Sequence, residues 1–174
     1  MESTHVKIHS CENGYWHGYR LCEFNVYGVP CCMHICHDRR YPEVWTLPVM
    51  FGARLVLHPA ACRVMGTSID GFEAWAGETT ATSHAYYVFV NAGGHSCIVG
   101  PRNPGNILAV SDECRRDNPS FPLAGAPVEC LLSARLPIAE AYGYWPVRSF
   151  RASEEIAASY LQLYRQMGGN HEPV

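Results

Sequence analysis

The sequence has almost no lysine and no long apolar run. Lys7 is the only lysine, and arginine supplies the rest of the 13 basic residues. No apolar stretch approaches the roughly 18 residues that a membrane-spanning helix needs. A net charge of −3 and an isoelectric point near 6.3 argue against a basic surface for nucleic acid or anionic lipid. Residues 1–5 lack the basic-then-apolar pattern of a secretion signal, so we expect a cytoplasmic protein without nucleic-acid or membrane partners.

Cysteine, in contrast, is abundant and odd in number. An odd count in a chain of this length without a secretion signal predicts reduced thiols rather than a disulfide framework. Hydrophobic residues make up 48% of the chain, which suits a single domain over residues 1–174 with a substantial core. The nine cysteines are Cys11, Cys22, Cys31, Cys32, Cys36, Cys62, Cys97, Cys114 and Cys130.

Hydrophobic patterning predicts strands that alternate with helices. We predict a strand and turn at 21–29, and strands at 31–36, 53–57, 86–91, 96–99, 107–110 and 128–136. The strand at 53–57 is expected to end at His58-Pro59. We predict helices at 42–51, 72–84 and 153–167. This alternation indicates an α/β layered fold.

Two of the predicted helices carry features that the structure can test. Pro48 lies inside the first helix and is expected to kink or split it before Gly52 ends it. The last helix is expected to bury one apolar stripe. The stripe consists of Ile156, Tyr160, Leu163, Tyr164 and Met167.

Cys36 is the most informative of the cysteines. It falls at the carboxyl end of a predicted strand and shortly before a helix that begins at Pro42. Open α/β sheets bind their ligands at such strand ends. A nucleophilic cysteine has to be ionised, and both a helix amino terminus and an ammonium group stabilise a thiolate. Lys7 is the only ammonium side chain that the sequence offers for this task.

A metal site is the alternative interpretation of the same segment. Five potential soft ligands crowd into seven positions, and three of them would face one side of a strand. They are Cys31, Cys32, His34, Cys36 and His37, with Cys32, His34 and Cys36 on the shared side. Zinc sites usually need paired ligands from two separated segments, and His95 with Cys97 is only a weak second half. We therefore predict no metal ion and no cofactor.

Three ordered strings resemble the carbon–nitrogen hydrolase (nitrilase) superfamily. They are VKIH at residues 6–9, ICHDRRYPE at 35–43 and GARLVLHP at 52–59. The segment SCIVGP at 96–101 is similar to a later part of the same family in the same order. The resemblance covers most of residues 5–150 and implies an αββα sandwich.

The resemblance implies a thiol hydrolase acting on small amides, carbamoyl compounds or nitriles. It assigns Cys36 as the nucleophile, Lys7 as the residue that stabilises the tetrahedral intermediate, and the N–H of His37 as an oxyanion donor. Glu12 is the best match for a second glutamate that positions substrate, and Glu23 is the weaker match. The resemblance also implies a homo-oligomer.

A narrower resemblance concerns the substrate-binding group His37, Arg39 and Arg40. In carbamoyl-amino-acid hydrolases an arginine at this point of the string holds a substrate carboxylate, a task that suits the guanidinium fork. The alternative is that both arginines are plain surface charges. Asp38 is equally explained as a cap of the helix that follows.

The sequence departs from the family at its amino terminus. The family's base glutamate lies well before the lysine in a Pro-Glu context, whereas Glu2 is the only acid before Lys7 here. We therefore expect an amino-terminally truncated nitrilase-type domain. The alternative function is a catalytically inactive remnant that binds a partner.

Overall fold

The structure of the protein is a computed structural model. The described residues are 5–9, 18, 20–50, 52–61, 85–91, 96–101, 106–111, 131–143, 154–156, 158–159, 161–163 and 165. The predicted helix at 72–84 lies outside them.

The described strands form one mixed sheet in which sequence order and spatial order coincide. The strands are β1 (Cys22–Val26), β2 (Val29–Met33), β3 (Leu55–Ala60), β4 (Tyr86–Asn91), β5 (Cys97–Val99) and β6 (Ile107–Val110). β2, β3 and β4 run parallel, and the remaining neighbours pair antiparallel. Tyr27 and Gly28 connect β1 to β2 with φ angles of 50° and 81°, which is the left-handed pair that a type I′ hairpin requires.

Helical segments accompany the sheet. A 3₁₀ helix over Cys36–Arg40 leads into α1 (Pro42–Met50), and a second 3₁₀ helix covers Ile138–Gly143. α1 runs through Pro48 as a single helix, so the expected split there is wrong. The helix ends where Gly52, at φ 122°, donates its N–H to the carbonyl of Val49.

The core lies between α1 and one face of the sheet. Trp45 and Val49 of α1 pack there against alternate residues of the parallel strands. The sheet contributes Cys32, Val56, Tyr87, Phe89, Cys97 and Val99, all buried. Because alternate side chains of a strand point to the same face, this burial pattern shows which face of each strand is turned toward the core. His34 and His58 lie on that face.

Two of the predicted strands need correction. β3 continues through His58 and Pro59 to Ala60, although this pair was expected to end it. β2 pairs with β3 only as far as Leu57. Beyond that point β3 has no neighbour on the β2 side, so the N–H that proline lacks is not needed there. Residues 131–137 belong to no strand, contrary to the strand expected over 128–136.

The last helix also differs from expectation. The described positions between 154 and 165 are helical, but all of them are exposed. Ile156 and Leu163 of the expected apolar stripe are each more than half exposed. The rest of that stripe, Tyr160, Tyr164 and Met167, lies outside the described side chains.

Candidate active site

Cys36 occupies a strained turn at the carboxyl end of β2. The ladder to β3 continues one step past the strand, where the N–H of His34 donates to the carbonyl of Leu57 at 3.1 Å. The chain then turns, and Cys36 adopts a φ of 51° as the first residue of the 3₁₀ helix. A side chain rarely adopts this left-handed region, and such outliers cluster at functional sites. Cys36 is half-buried, whereas the other described cysteines are buried.

Asp38 holds this turn from its outer side. Its buried carboxylate accepts hydrogen bonds from the N–H groups of Ile35, His9 and Ile8, at 3.0, 2.7 and 3.3 Å. The bond from Ile35 closes the turn around Cys36. The other two bonds fasten a distant segment, residues 5–9, to the same turn.

The amide donors explain why the Asp38 carboxylate stays charged. Burial alone raises the pKa of Asp38, but the surrounding donors outweigh that effect and lower its pKa to about 2. The His5 Nε2 lies 3.9 Å from Oδ2, which is too long for a hydrogen bond. The three backbone N–H groups therefore stabilise the ionised form.

Lys7 belongs to the segment that Asp38 fastens. It precedes Ile8 directly, and its carbonyl accepts a hydrogen bond from the N–H of Gly18 at 2.8 Å. The lysine is half-buried rather than fully solvated. The backbone therefore brings the only lysine of the chain to the element that carries Cys36, across a separation of nearly thirty residues.

Aromatic and acidic side chains gather beside the turn. The His9 imidazole stacks on the Tyr41 ring with centroids 3.5 Å apart, and His37 meets the same ring edge-on at 5.8 Å. Glu43, in the first turn of α1, lies 4.0 Å from the Nε2 of His9. Both members of this last pair are about 30% exposed. Polar groups from two segments thus meet at the end of the 3₁₀ helix that begins at Cys36.

Three buried rings lie on the inner side of the turn. The Tyr87 hydroxyl is 2.9 Å from His34 Nε2 and 2.8 Å from His58 Nδ1. The other nitrogen of His58, Nε2, is 3.1 Å from the carbonyl oxygen of Cys36. The two imidazoles lie 4.3 Å apart, centroid to centroid. We call His34, Tyr87 and His58 the inner relay.

Burial keeps the inner relay uncharged. It lowers the pKa of His34 to about 2 and that of His58 to about 4. It raises the pKa of Tyr87 well above its ordinary value. Each shift follows from the cost of a charged ring in a site that water does not reach. At neutral pH the inner relay therefore consists of two neutral imidazoles and a neutral phenol.

The structure brings some of the predicted site residues together and not others. Cys36, His37, Arg39 and Arg40 share the 3₁₀ helix, and Lys7 lies in the segment bound to it. Arg39 is half-buried and Arg40 is exposed. Glu12 lies outside the described residues, so its prediction stays untested. Glu23 is exposed on β1, opposite Cys32, and is not at the turn.

The alternative metal site finds no support in its predicted geometry. β2 ends at Met33, so Cys32, His34 and Cys36 do not share one face of a strand. In the segments that the structure describes, no three His, Cys, Asp or Glu side chains converge as metal ligands would. Those segments also contain no helix of the length and apolarity that would cross a membrane.

Sequence reasoning missed His58 and Tyr87 as residues of this site. The available signal was parity, since His58 lies two positions from the buried Val56 and Tyr87 lies two positions from the buried Phe89. A histidine at a core position of a strand needs a hydrogen-bond partner, and a buried tyrosine hydroxyl supplies one. One interpretation made Asp38 a cap of the next helix, but its side chain accepts hydrogen bonds from the N–H groups of residues 8, 9 and 35.

Solved structures provide the comparison that sequence does not. No protein-family model matches the chain, and no curated protein matches it by sequence. The NitN amidase from Nesterenkonia sp. AN1 superposes with a TM-score of 0.56 at 21% identity, over 86% of this chain and 57% of its own. Nit3 from Saccharomyces cerevisiae, a member of branch 10 of the nitrilase superfamily, superposes with a TM-score of 0.52 at 22% identity, over 62% and 43%.

These comparisons concern the fold. The chain spans about half the length of the two structures that it resembles. Its mixed sheet, with a helix packed on one face, corresponds to a part of their architecture. The chain therefore has, over the part that it shares with them, the α/β fold of the nitrilase superfamily.

Proposed function

We propose that this chain takes part in hydrolysis of a non-peptide carbon–nitrogen bond with Cys36 as the nucleophile. The observation that carries the proposal is the left-handed, half-buried Cys36 at a strand end in a nitrilase-type fold. Buried side chains hold the turn from both sides. A cysteine with only a packing role needs neither the strain nor the partial exposure.

The reaction proceeds in two steps with an amide substrate. The Cys36 sulfur forms a bond to the carbonyl carbon, and the carbon–nitrogen bond then breaks. The proton that the Cys36 thiol gives up passes to the nitrogen, which leaves as an amine, and the acyl group remains on sulfur as a thioester. Water cleaves the thioester, which releases the acid and regenerates the thiol. We assign the glutamate that positions substrate to Glu12, following the sequence resemblance.

Two groups would stabilise the charge that develops on the substrate oxygen. The N–H of His37 lies at the start of the 3₁₀ helix, where no helical acceptor precedes it. Lys7 would supply a positive charge, and the fastening of its neighbours Ile8 and His9 to Asp38 supports this role. A preorganised donor at such a position typically lowers the activation barrier by a few kcal/mol.

The substrate class follows from the arginines beside Cys36. We propose a small amide, carbamoyl compound or nitrile, with Arg39 or Arg40 binding a carboxylate on the same molecule. Arg39 is the stronger candidate, since its half-buried position leaves less water to compete for the carboxylate. One of the structural neighbours is named an amidase, which agrees with this class.

Selective alkylation tests the nucleophile directly. The full chain is treated with iodoacetamide at neutral pH, and the adducts are mapped by mass spectrometry. We expect Cys36 to react first, and faster in the native chain than in urea. Lys7→Ala should slow the reaction roughly tenfold, because we propose that the Lys7 ammonium stabilises the reacting sulfur. Lys7→Arg should restore most of the rate.

Arg40→Ala is the matched control, because it removes an exposed cation from the helix that carries Cys36. Screening by solvent should limit its effect on the alkylation rate to less than about twofold. Equal labelling of all nine cysteines would overturn the proposal. Selective labelling without release of ammonia or amine from any amide, carbamoyl or nitrile substrate would favour the inactive binding remnant.

A further inference from the structure

The inner relay ends on the backbone of the proposed nucleophile rather than on its side chain. His58 Nε2 lies 3.1 Å from the carbonyl oxygen of Cys36. The ring is 2% exposed, and the other two members are equally sequestered from solvent. Nothing in the chemistry proposed for Cys36 and Lys7 uses these three side chains.

The hydrogen-bond directions in the inner relay can be assigned from its ends. A carbonyl oxygen only accepts, so His58 must carry its proton on Nε2. The neutral ring then has a lone pair on Nδ1, and the Tyr87 hydroxyl has to donate to it. That donation uses the only proton of the phenol, so His34 Nε2–H donates to the phenol oxygen. Each hydrogen bond in the series therefore fixes which atom donates the proton in the next.

The Cys36 carbonyl controls a second group through the geometry of the peptide. The Cys36–His37 peptide is planar, and in a trans peptide the C=O and N–H point in opposite directions. Holding the carbonyl against His58 therefore turns the N–H of His37 away from the buried ring. The left-handed φ of Cys36 leaves this peptide in need of such support, because the backbone does not favour it.

We propose that His58 is a positioning residue that aims the His37 N–H at the substrate oxygen, and that Tyr87 and His34 fix it in the required tautomer. This inference rests on the proposed function, since it gives the His37 N–H the task of binding the oxyanion. His58 touches neither substrate nor sulfur in this scheme. It acts through the Cys36–His37 peptide.

Two reagents separate positioning from nucleophilicity. p-Nitrophenyl acetate acylates a thiol through a tetrahedral oxyanion, whereas iodoacetamide alkylates it by direct displacement without one. His58→Leu should lower the acylation rate of Cys36 roughly tenfold to a hundredfold, because the oxyanion donor loses its alignment. Alkylation should change far less. His58→Gln should recover much of the acylation rate, because the amide can donate to the same carbonyl.

Tyr86 and Tyr87 provide a matched pair of variants. Both hydroxyls are buried and hydrogen-bonded, but Tyr86 donates to the carbonyl of Pro137 on the opposite face of the sheet. Tyr87→Phe should lower acylation severalfold, and Tyr86→Phe should leave it within about twofold for a similar loss of stability. Equal effects of the two variants on acylation would overturn the proposal. This comparison remains decisive if His58→Leu does not fold.

Nitrogen NMR of the histidine side chains tests the inner relay without any activity. The wild-type chain at neutral pH should show His58 protonated on Nε2 and unprotonated on Nδ1. The opposite tautomer would overturn the inference even if Cys36 is a competent nucleophile. Conversely, a chain that shows the expected tautomer but never acylates at Cys36 would remove the proposed function and leave the proton arrangement standing.

Discussion

The Cys36 turn is held by a charged group on one side and by neutral groups on the other. On the outer side, the Asp38 carboxylate gathers three backbone N–H groups that come from two segments of the chain. On the inner side, His58 delivers a single hydrogen bond to the Cys36 carbonyl, supported by two further buried rings.

The difference follows from what each side has to satisfy. Backbone amides near a buried turn need an acceptor, and a carboxylate offers several lone pairs at once. A lone carbonyl needs one donor, and a neutral imidazole provides it without placing a cation in the core. The strained turn is thus supported by a negatively charged acceptor on one side and by a neutral donor on the other.

Acidification should have the largest effect on the stability of the protein, and it should act first on the histidines of the inner side. His34 and His58 have pKa values of about 2 and about 4 in the fold, against an ordinary value of 6.5. The unfolded chain therefore binds more protons below pH 6.5, and stability is lost as the pH falls toward 4. Each imidazole contributes a slope of up to about 1.4 kcal/mol per pH unit.

Urea unfolding at a series of pH values measures this slope. Asp38 should add to the loss of stability only below pH 3.8. There the unfolded chain binds a proton at this residue, whereas the folded protein, in which its pKa is about 2, does not. His58→Gln should flatten the slope between pH 6.5 and 4, and Tyr86→Phe, which keeps both imidazoles, should preserve it. A stability that does not change over that interval would contradict the prediction.

Removal of the outer carboxylate should have the next largest effect. Asp38→Ala leaves the N–H groups of Ile8, His9 and Ile35 without their acceptor. We expect a loss of about 3 kcal/mol in the free energy of unfolding at pH 7, because each buried donor left unsatisfied costs about 1 kcal/mol or more. Asp38→Asn should cost less, because it retains one oxygen acceptor.

Glu23→Gln serves as the control for Asp38, because this acid is exposed on β1. Its effect on stability should stay within about 0.5 kcal/mol. A loss for Asp38→Ala no larger than this would show that the outer side does not support the turn.

The pair formed by His9 and Glu43 should have the smallest effect. The two side chains lie 4.0 Å apart and are about 30% exposed, so solvent weakens their interaction. Glu43→Gln should change the free energy of unfolding by less than about 1 kcal/mol. A larger loss, or a change in Cys36 alkylation beyond about twofold, would indicate that the outer side extends beyond Asp38 into α1.

Local composition predicted the elements that have strong local signals. β4 and β6 have the predicted bounds, because aromatic and β-branched residues mark β4 and a short apolar run marks β6. The position of Cys36 between a strand and a helix followed from Pro42 and the apolar run before it. The nitrilase-type fold followed from the ordered strings, and the structural comparison confirms it.

The inner relay was beyond the reach of local signals. Its members come from β3, β4 and the residue after β2, and they meet only because of the parallel register that sets Val56 beside Tyr87 and His58 beside Phe89. A sequence pattern gives the parity of each strand but not its register against a neighbour. Pro59 also misled the prediction, because proline usually ends a strand that has partners on both sides.

The left-handed φ angle at Cys36 affects which residue types this position accommodates without strain. Glycine adopts a left-handed backbone at no steric cost, so Cys36→Gly would relax a conformation that any larger residue finds unfavourable by about 1 kcal/mol or more. The residue that stabilises this position best is thus one that has no sulfur. A lineage released from the need for the thiol would drift toward glycine here, whereas retention of cysteine in its relatives would mark a position at which reactivity has prevailed over ease of folding.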